Sequence, residues 1–491
     1  MTSTIDTTAE RRSGNNALAA ALVCLVTVVA FETMSVATIM PKVLADIGGL
    51  GLYGWAFSGL ALGEVMGIVI AGTWTDRVNP VRPILVGLVV YSIGLVISGL
   101  ANDMLVVVIG RVLQGYGSGT VPAVAYVCVG RGFAEAERPR VFAWMSTAWV
   151  VPSMIGPSAA GVLEKHVGWR AVFLGLIPVV ICVGALAIRP IARLGNPVAG
   201  ATPTPDDGAV GSPARTVRLA TVAVLGTGLA LGAFQLRNVV ALSGLFVLGA
   251  VTLVWAFRRI APAGTLRLAR GVPSTVAVRG MLTFAFLGAD AYVSLALQDV
   301  KGMSATSAGI VLSSAALTWT AGSWYSAKRI TRVGPRRLVT AGLAAVVVGI
   351  AAMVLVVNSS VNSWWAIGAW LVGGLGIGLA YAPLTQAVIS AADPAQLGAA
   401  TSALQLSDVL GFALGTGLGG AIIALADRHG ATVDGSSVHA GVLLVFGVTA
   451  AVGAVGVASA RRMHRYLGGD EPPTADATAA ANAAGAATSS S

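Results

Sequence analysis

Apolar runs of about twenty residues follow one another along this chain, separated by short breaks that collect Gly, Pro, Asn and charged residues. A hydrocarbon slab about 30 Å thick is crossed by roughly 20 helical residues. The runs are long and unbroken, without the period-two alternation of an outer-membrane barrel strand. Fourteen membrane-spanning helices are predicted, at 17–40, 52–73, 82–100, 104–130, 141–162, 170–188, 217–235, 238–257, 275–298, 305–327, 337–357, 363–391, 400–426 and 437–459. An even number puts both chain ends on one side of the bilayer.

The pattern repeats. Span four reads Gly115-x-Gly117-x-Gly119 followed by Pro122, and span twelve reads Gly374-x-Gly376-x-Gly378 followed by Pro383. The loop after span two carries Asp76, Arg77 and Arg82, and the loop after span ten carries Arg332, Arg336 and Arg337. Glu32 in span one and Asp290 in span nine lie at matching depths. Such internal repeats mark transporters built from two related halves. The expected fold is an all-α polytopic membrane protein: two pseudo-symmetric six-helix bundles plus two extra helices, 14 transmembrane helices in all. The division is a cytoplasmic N-terminal tail (1–16), a first bundle (17–188), a cytoplasmic linker (189–216), two accessory helices (217–257), a cytoplasmic loop (258–274), a second bundle (275–459) and a disordered cytoplasmic tail (460–491). The linker and tail are drawn from Pro, Gly, Ala, Thr and Ser, too poor in large apolar groups to fold. The accessory pair, joined through Leu236 and Arg237, holds no carboxylate and reads as a hairpin at the bundle's side.

Composition agrees: of 491 residues, 56% are hydrophobic and only 11% charged, against about 25% charged in a soluble domain. The 62 glycines suit helices that approach closely in lipid. A net charge of +10 in a soluble protein would suggest nucleic acid, but here the cations sit at the ends of apolar runs. With the N-terminus in the cytoplasm, 24 Lys and Arg fall in inner segments and 6 in outer ones. That asymmetry follows the positive-inside rule and argues for topology, not phosphate binding. Cys24, Cys128 and Cys182 all lie within spans and read as buried, inert thiols. The first run is too long for a signal peptide and is taken as a retained helix.

An ionisable group inside the bilayer costs at least about 2.5–3.5 kcal/mol and is a functional candidate by default. Glu32, Glu64, Asp290 and Asp408 qualify; the four histidines are assigned to loops or the tail, so a proton carrier here would be a carboxylic acid. Arg111 is the one cation left inside a span. Arg111 and Glu32 both lie roughly 10–12 Å below the outer surface at 1.5 Å per residue, so an ion pair between them is geometrically possible.

Four motifs resemble the major facilitator superfamily, and the fourteen-span plan resembles its drug:proton antiporter branch. The loop Gly72-Thr-Trp-Thr-Asp76-Arg77-Val-Asn79-Pro80-Val-Arg82 is similar to the family's cytoplasmic signature, with Asn79 and Pro80 where a Gly and a basic residue are usual. Arg111-Val-Leu-Gln114-Gly115-Tyr-Gly117-Ser-Gly119 resembles in full the motif associated with proton coupling. Pro152-Ser-Met-Ile-Gly156-Pro157-Ser-Ala-Ala160-Gly161 is similar to the antiporter motif, with Pro152 and Ala160 replacing glycines. Glu32-Thr33-Met-Ser-Val-Ala-Thr38-Ile-Met-Pro41 is similar to the acidic, Pro-ended motif of the drug antiporters.

The resemblance implies a proton-coupled exporter of hydrophobic or cationic small molecules, multidrug efflux by alternating access. Dedicated export of a lipid or secondary metabolite, nutrient import, and a non-transporting sensor are the alternatives. It implies no enzyme activity, no metal and no cofactor beyond the proton gradient. The expected partners are an amphiphilic small molecule, protons and the lipid bilayer, without nucleic acid, on a monomer in the bacterial plasma membrane with both termini cytoplasmic. Glu32, Asp290 and Arg111 are expected to couple protons, and Glu64, Gln114, Tyr126, Trp149, Phe284 and Gln298 to line the substrate cavity. Gly72, Asp76, Arg77, Arg82 and Asp408 would latch the cytoplasmic helix ends in one state, and Gly156, Pro157 and Gly161 would bend and pack span five.

Overall fold

The computed structural model describes residues 3–75, 77–134, 137–196, 213–236, 238–358, 360–391, 397–433 and 436–463. The expected disordered tail from residue 464, most of the linker (197–212), Arg237 and Asp76 lie outside the described residues. The first half contains α1 (Ser3–Ile47), α2 (Tyr53–Thr75), α3 (Val81–Gly99), α4 (Met104–Gly132), α5 (Arg138–Thr147), α6 (Val150–Val167), α7 (Arg170–Leu174) and α8 (Leu176–Ala192). Then come α9 (Pro213–Gly232) and α10 (Val239–Ile260). The second half contains α11 (Val272–Leu295), α12 (Ala305–Val333), α13 (Pro335–Asn358), α14 (Trp365–Ala391), α15 (Leu397–Arg428) and α16 (Ser437–Ala460).

Polar breaks start helices where the sequence places them. The side chains of Asp103, Asn238, Ser304 and Ser436 accept backbone N–H bonds from the first turns of α4, α10, α12 and α16, which satisfies donors that would otherwise be orphaned. Helix α1 begins at Ser3, so the expected N-terminal tail is helical and continuous with the first span.

Among the described residues, twelve helices are long and apolar enough to cross a membrane. Two predicted spans fall short of that measure. Span five is divided into α5 and α6 at Ala148–Trp149, and α12 is diluted by Ser and Thr. Pro157 sits inside α6, which runs unbroken from Val150 to Val167. Pro152 instead occupies the first turn of α6, where a missing N–H costs no helix bond.

Contacts fix the helix directions. The ends of α4, α2 and α8 gather round the start of α1: Gly132 lies against Leu18 and Leu194, Arg131 donates to Thr75 O at 2.9 Å, and Asn79 donates to Ala192 O at 3.1 Å. The start of α11 meets the end of α16 through Gly271 N to Arg462 O, 3.1 Å. Helix α15 runs antiparallel to α2, with Gly420 against Gly54, and in the same direction as α11, with Gly411 on Gly280 and Gly415 on Gly288. The start of α1 and the end of α16 therefore share one end of the molecule, called basal here; the opposite end is apical.

The glycine repeat is a packing repeat. Cβ atoms on Gly115 and Gly119 would strike Leu60 O and Glu64 O of α2, and on Gly374 and Gly378 would strike Ala315 O and Trp319 O of α12. Between them, Gly117 meets Gly87 O and Tyr91 of α3, while Gly376 meets Gly342 O and Val346 of α13. One helix thus packs backbone to backbone on two neighbours in each half, as small residues permit in lipid.

The halves join through α2 on α15, α6 on α12, and α1 on α11 and α12. Helix α9 packs on α10, α2 and α15, and Ala220 joins Val65, Leu406 and Leu410 in one apolar cluster. The accessory pair therefore covers the α2–α15 seam and contacts both halves. Its apical turn is tied to each: Gln235 donates to Gly51 O at 2.7 Å, and Arg428 donates to Phe234 O at 2.8 Å. Val240, Val247 and Val251 of α10 are exposed, as expected of a helix facing lipid. Cys128 is buried, but Cys24 and Cys182 are exposed, which corrects the expectation of three buried thiols.

Candidate functional site

In the first half, Glu32 on α1 and Arg111 on α4 meet. Both are buried, and Arg111 Nη1 donates to Glu32 Oε1. Equal depth in two helices made this pair readable from sequence. Arg111 also donates through Nε to Ala56 O at 3.0 Å and through Nη1 to Gln114 Oε1 at 2.7 Å. Gln114 in turn donates to Gly94 O and Ser98 Oγ, each at 2.9 Å. Gln114 is wholly buried: the structure places it in this polar core instead of on a cavity wall, because Arg111 one turn before it needs an acceptor. Tyr91 Oη lies beside the Glu32 carboxyl, and both it and Glu32 Oε2 are buried without a hydrogen-bonded partner. The guanidinium thus engages one carboxyl oxygen, and the Tyr91 hydroxyl stands beside the carboxyl.

In the second half, Asp290 on α11 is partly buried and accepts a hydrogen bond from Trp370 Nε1 on α14 at 2.8 Å. Phe286 stacks on Trp370 with ring centroids 5.5 Å apart, Trp319 meets Phe286 edge-on at 6.0 Å, and Tyr381 follows Trp319 at 5.7 Å. This aromatic row runs basally to a second ion pair. Arg279 Nε and Nη2 donate to Asp408 Oδ1 and Oδ2 at 2.8 and 3.1 Å, Nη1 donates to Tyr381 O at 2.8 Å, and Tyr381 Oη donates to Asp408 Oδ2 at 2.7 Å. The guanidinium carbon stands 3.1 Å from the Tyr381 ring centroid.

That pair corrects one expectation. Arg279, counted among the loop cations, is 4% exposed inside α11; it lay too near the start of its apolar run to be separated from the preceding arginines. Asp408, grouped with the latch residues, is paired in this arrangement within its own half. Arg77 and Arg82 are exposed, and a Cβ on Gly72 would meet nothing within 4 Å. His439, assigned to a loop, is 3% exposed in the first turn of α16.

Glu64 is partly buried on α2, with Asp408 as its charged neighbour across the seam. Tyr126 is exposed within electrostatic reach of Arg279; Trp149 is exposed and Phe284 partly buried. Gln298 is buried at the apical end of α11, donating to Thr38 O at 2.9 Å. It belongs to the apical junction of the halves and not to a cavity, because it follows Ser294 by four residues on the face that meets α1 and bonds Ser294 Oγ at 2.7 Å. Ser294 donates to the same Thr38 O at 3.0 Å, and Ser58 donates to Ala413 O at 2.9 Å. Gly161 lies against the Thr306 backbone and Gly309 against Pro157 O, so the antiporter-like motif is the α6–α12 crossing; Gly156 lies against α1. Gly309 was missed, since nothing in a Ser-rich stretch singles it out.

A separate crevice of about 580 Å³ opens between α2, α3, α4 and α9, lined by Leu62, Met66, Val112, Tyr116, Val224 and Leu229 among others. None of the expected cavity residues lines it.

The model of the Major Facilitator Superfamily matches residues 22–416 and 279–489. A probable multidrug-efflux transporter of Mycobacterium tuberculosis is 27% identical over 445 residues, covering 87% of this chain and 90% of that protein. Multidrug resistance protein 3 of Bacillus subtilis is 23% identical over 426 residues, covering 85% and 81%. Among solved structures, an auto-inhibited POT family peptide transporter superposes with a TM-score of 0.67 at 16% identity, over 92% of this chain and 98% of that one. A bacterial homologue of the human lysosomal transporter Spinster does so with 0.61 at 16% identity, over 91% and 97%. The match across the chain, carried by helices whose motifs meet in the folded molecule, makes this multi-pass membrane protein a member of the major facilitator superfamily, a family of transporters.

Proposed function

We propose that the protein exports hydrophobic and cationic small molecules from the cytoplasm by exchange for protons, as a fourteen-helix transporter of the bacterial plasma membrane. Two six-helix halves and the α9–α10 hairpin would make up the fourteen, with span five broken at Ala148–Trp149. The names of the relatives support drug efflux. The clustering of cations toward the basal end, including Arg131, Arg189, Arg258 and Arg329, supports a cytoplasmic basal side.

One observation carries the proton reading: a carboxyl group, Glu32, buried in the helix interior with one oxygen on Arg111 and the other without a hydrogen-bonded partner. A proton delivered to Oε2 neutralises Glu32 and releases Arg111 from its counter-ion. Arg111 bridges α1, α2 and α4 through Glu32, Ala56 and Gln114, so loss of that pull changes how three helices are held together. Alternating access also needs two ends that close in turn. The bonds at Thr38 and Ser58 and the crossing at Gly161 close the apical end. The signature-loop residues and Asp408 serve the opposite closure: open space at Gly72 and the exposure of Arg77 and Arg82 are what a basal end awaiting its partner would have. Asp290 is the second proton carrier, and Glu64, Tyr126, Trp149 and Phe284 border the path.

Everted membrane vesicles holding the protein and given an acidic lumen test the reading. They should accumulate a lipophilic cationic dye, and a protonophore should abolish the accumulation. Dye uptake indifferent to the protonophore would overturn proton exchange.

A further inference from the structure

The crossing of α6 and α12 closes only the apical part of its seam. Gly161 lies against Thr306 and Gly309 against Pro157, and the Ser158 and Ser313 hydroxyl oxygens stand 3.3 Å apart. Basal to that hydroxyl pair the same two helix faces part. Residues three and four apart share a helix face. From Ser158 that face runs through Met154, Val151, Thr147 and Trp144, across the break at Ala148–Trp149, and all four are exposed. From Ser313 the facing side of α12 runs through Leu317, Ala321 and Trp324, exposed as well.

Each wall is held by its own half. Val141, Met145 and Ala148 bury another side of α5 in the cluster built on α1, and a Cβ on Gly322 of α12 would strike Leu375 O of α14. The opposite seam is filled. There Val65 of α2 meets Leu406 and Leu410 of α15, Ala220 of α9 completes the cluster, and Phe257 and Ile260 of α10 pack on it. The accessory pair covers one seam and leaves the other to the bilayer.

The uncovered gap is apolar in its depth and cationic at its basal rim. Arg140 lays its guanidinium over the Trp144 ring, 4.7 Å from the centroid, and Arg329 stands over the Tyr325 ring at 5.9 Å. Arg140 lies eighteen residues basal of Ser158 and Arg329 sixteen basal of Ser313, so at 1.5 Å per residue their depths differ by about 3 Å. Both are exposed, and among the described residues neither is in an ion pair. Helices α5 and α12 contain no acid; across the rim Arg138, Arg140, Lys328, Arg329 and Arg332 outnumber Glu135 and Glu137. Arginine pairs with phosphate through charge-assisted hydrogen bonds, and basic residues next to a span attract anionic lipid. A cationic molecule would meet like charge at this rim.

We infer that the gap between α5–α6 and α12 is a binding site for an anionic phospholipid of the basal leaflet, with its phosphate between Arg140 and Arg329 and its acyl chains between the two apolar faces. This goes beyond the export reading and holds whichever side of the membrane the basal end faces. Seated there, the lipid opposes any approach of the two faces.

Photolabelling tests it. The full chain is reconstituted into phosphatidylcholine vesicles doped with phosphatidylglycerol or, separately, phosphatidylcholine carrying a diazirine in one acyl chain, and adducts are mapped by peptide mass spectrometry. The phosphatidylglycerol probe should label residues 144–154 and 317–324 at least fivefold more than the phosphatidylcholine probe. Arg140→Gln/Arg329→Gln should lower that preference below twofold and leave labelling of the exposed α10 positions Val247 and Val251 unchanged. Arg258→Gln/Arg259→Gln removes two basal cations from α10, one of them stacked on Trp255 at 5.1 Å, and should keep the preference at the gap within twofold of wild type. The inference is overturned if the two probes label the gap alike, if Val247 and Val251 show the same preference, or if the Arg140/Arg329 variant keeps the wild-type preference. It is equally overturned if the α10 variant loses as much, or if a photoreactive lipophilic cation labels the gap more strongly than the phosphatidylglycerol probe, which would make the gap an entrance for cargo.

Discussion

Removing the Arg111 charge while keeping its bulk, as in Arg111→Met, tests what holds the first half together. Arg111 is 1% and Glu32 0% exposed, so the substitution leaves a buried carboxylate with no counter-ion. It also strands Gln114 Oε1, which accepts from the same guanidinium, while Ala56 O remains within the α2 helix. Breaking a buried pair from one side costs about 3–5 kcal/mol, and the stranded acceptor adds about 1–3 kcal/mol unless it finds another donor. Glu32→Gln leaves the guanidinium uncompensated and should cost a comparable amount. In the double variant Arg111→Met/Glu32→Gln no charge remains buried, so its loss should fall short of the summed single losses by about 2–3 kcal/mol, the upper range of coupling between contacting residues. Equilibrium unfolding in mixed detergent micelles measures all four proteins. Additivity within about 0.5 kcal/mol, the behaviour of independent sites, would refute a coupled buried pair.

Three further outcomes follow from the same geometry. Arg279→Met should destabilise by about 3–5 kcal/mol, and Asp408→Asn in that background should recover part of the loss in the same unfolding assay. Gly161→Val drives a side chain into the Thr306 backbone, with the first added carbon 2.7 Å from Thr306 Cα; export should fall at least tenfold, and a cysteine introduced at Ala305, 3% exposed at this crossing, should become more reactive to apically added thiol reagent. Gly72→Val meets nothing in the present arrangement, so stability should change by no more than about 0.5 kcal/mol, while export falls because the basal closure needs that space; unchanged export would remove Gly72 from the closure.

The helices were legible because bilayer thickness imposes a length on every apolar run, and the Glu32–Arg111 pair because helical rise converts sequence position into depth. Depth is not facing, and that limit explains the misplacements. Gln114 and Gln298 lie at cavity depth but point into hydrogen bonds with Arg111 and Thr38, a choice set by which neighbour needs an acceptor or donor. Arg279 looked like one more arginine in a basic loop, since charge alone does not report that Asp408, on a helix 129 residues away in sequence, waits for it. Trp370 carries no charge and belongs to none of the four motifs, so only its hydrogen bond to Asp290 in the folded chain singles it out. The break at Ala148–Trp149 lies between Ser146-Thr147 and Pro152, a helix-start signal short enough to be absorbed into one long apolar run.

Proton movement driven by substrate gives the most direct test of the central claim. Proteoliposomes are loaded with a lipophilic cation and a trapped pH indicator, then diluted into cation-free buffer at the same pH with the membrane potential clamped. As the cation leaves through the wild type, protons should enter and the lumen should acidify. Glu32→Gln and Asp290→Asn should each leave the lumen pH flat. Cation efflux through the wild type without acidification, or acidification by both variants at the wild-type rate, would contradict exchange through these two buried acids.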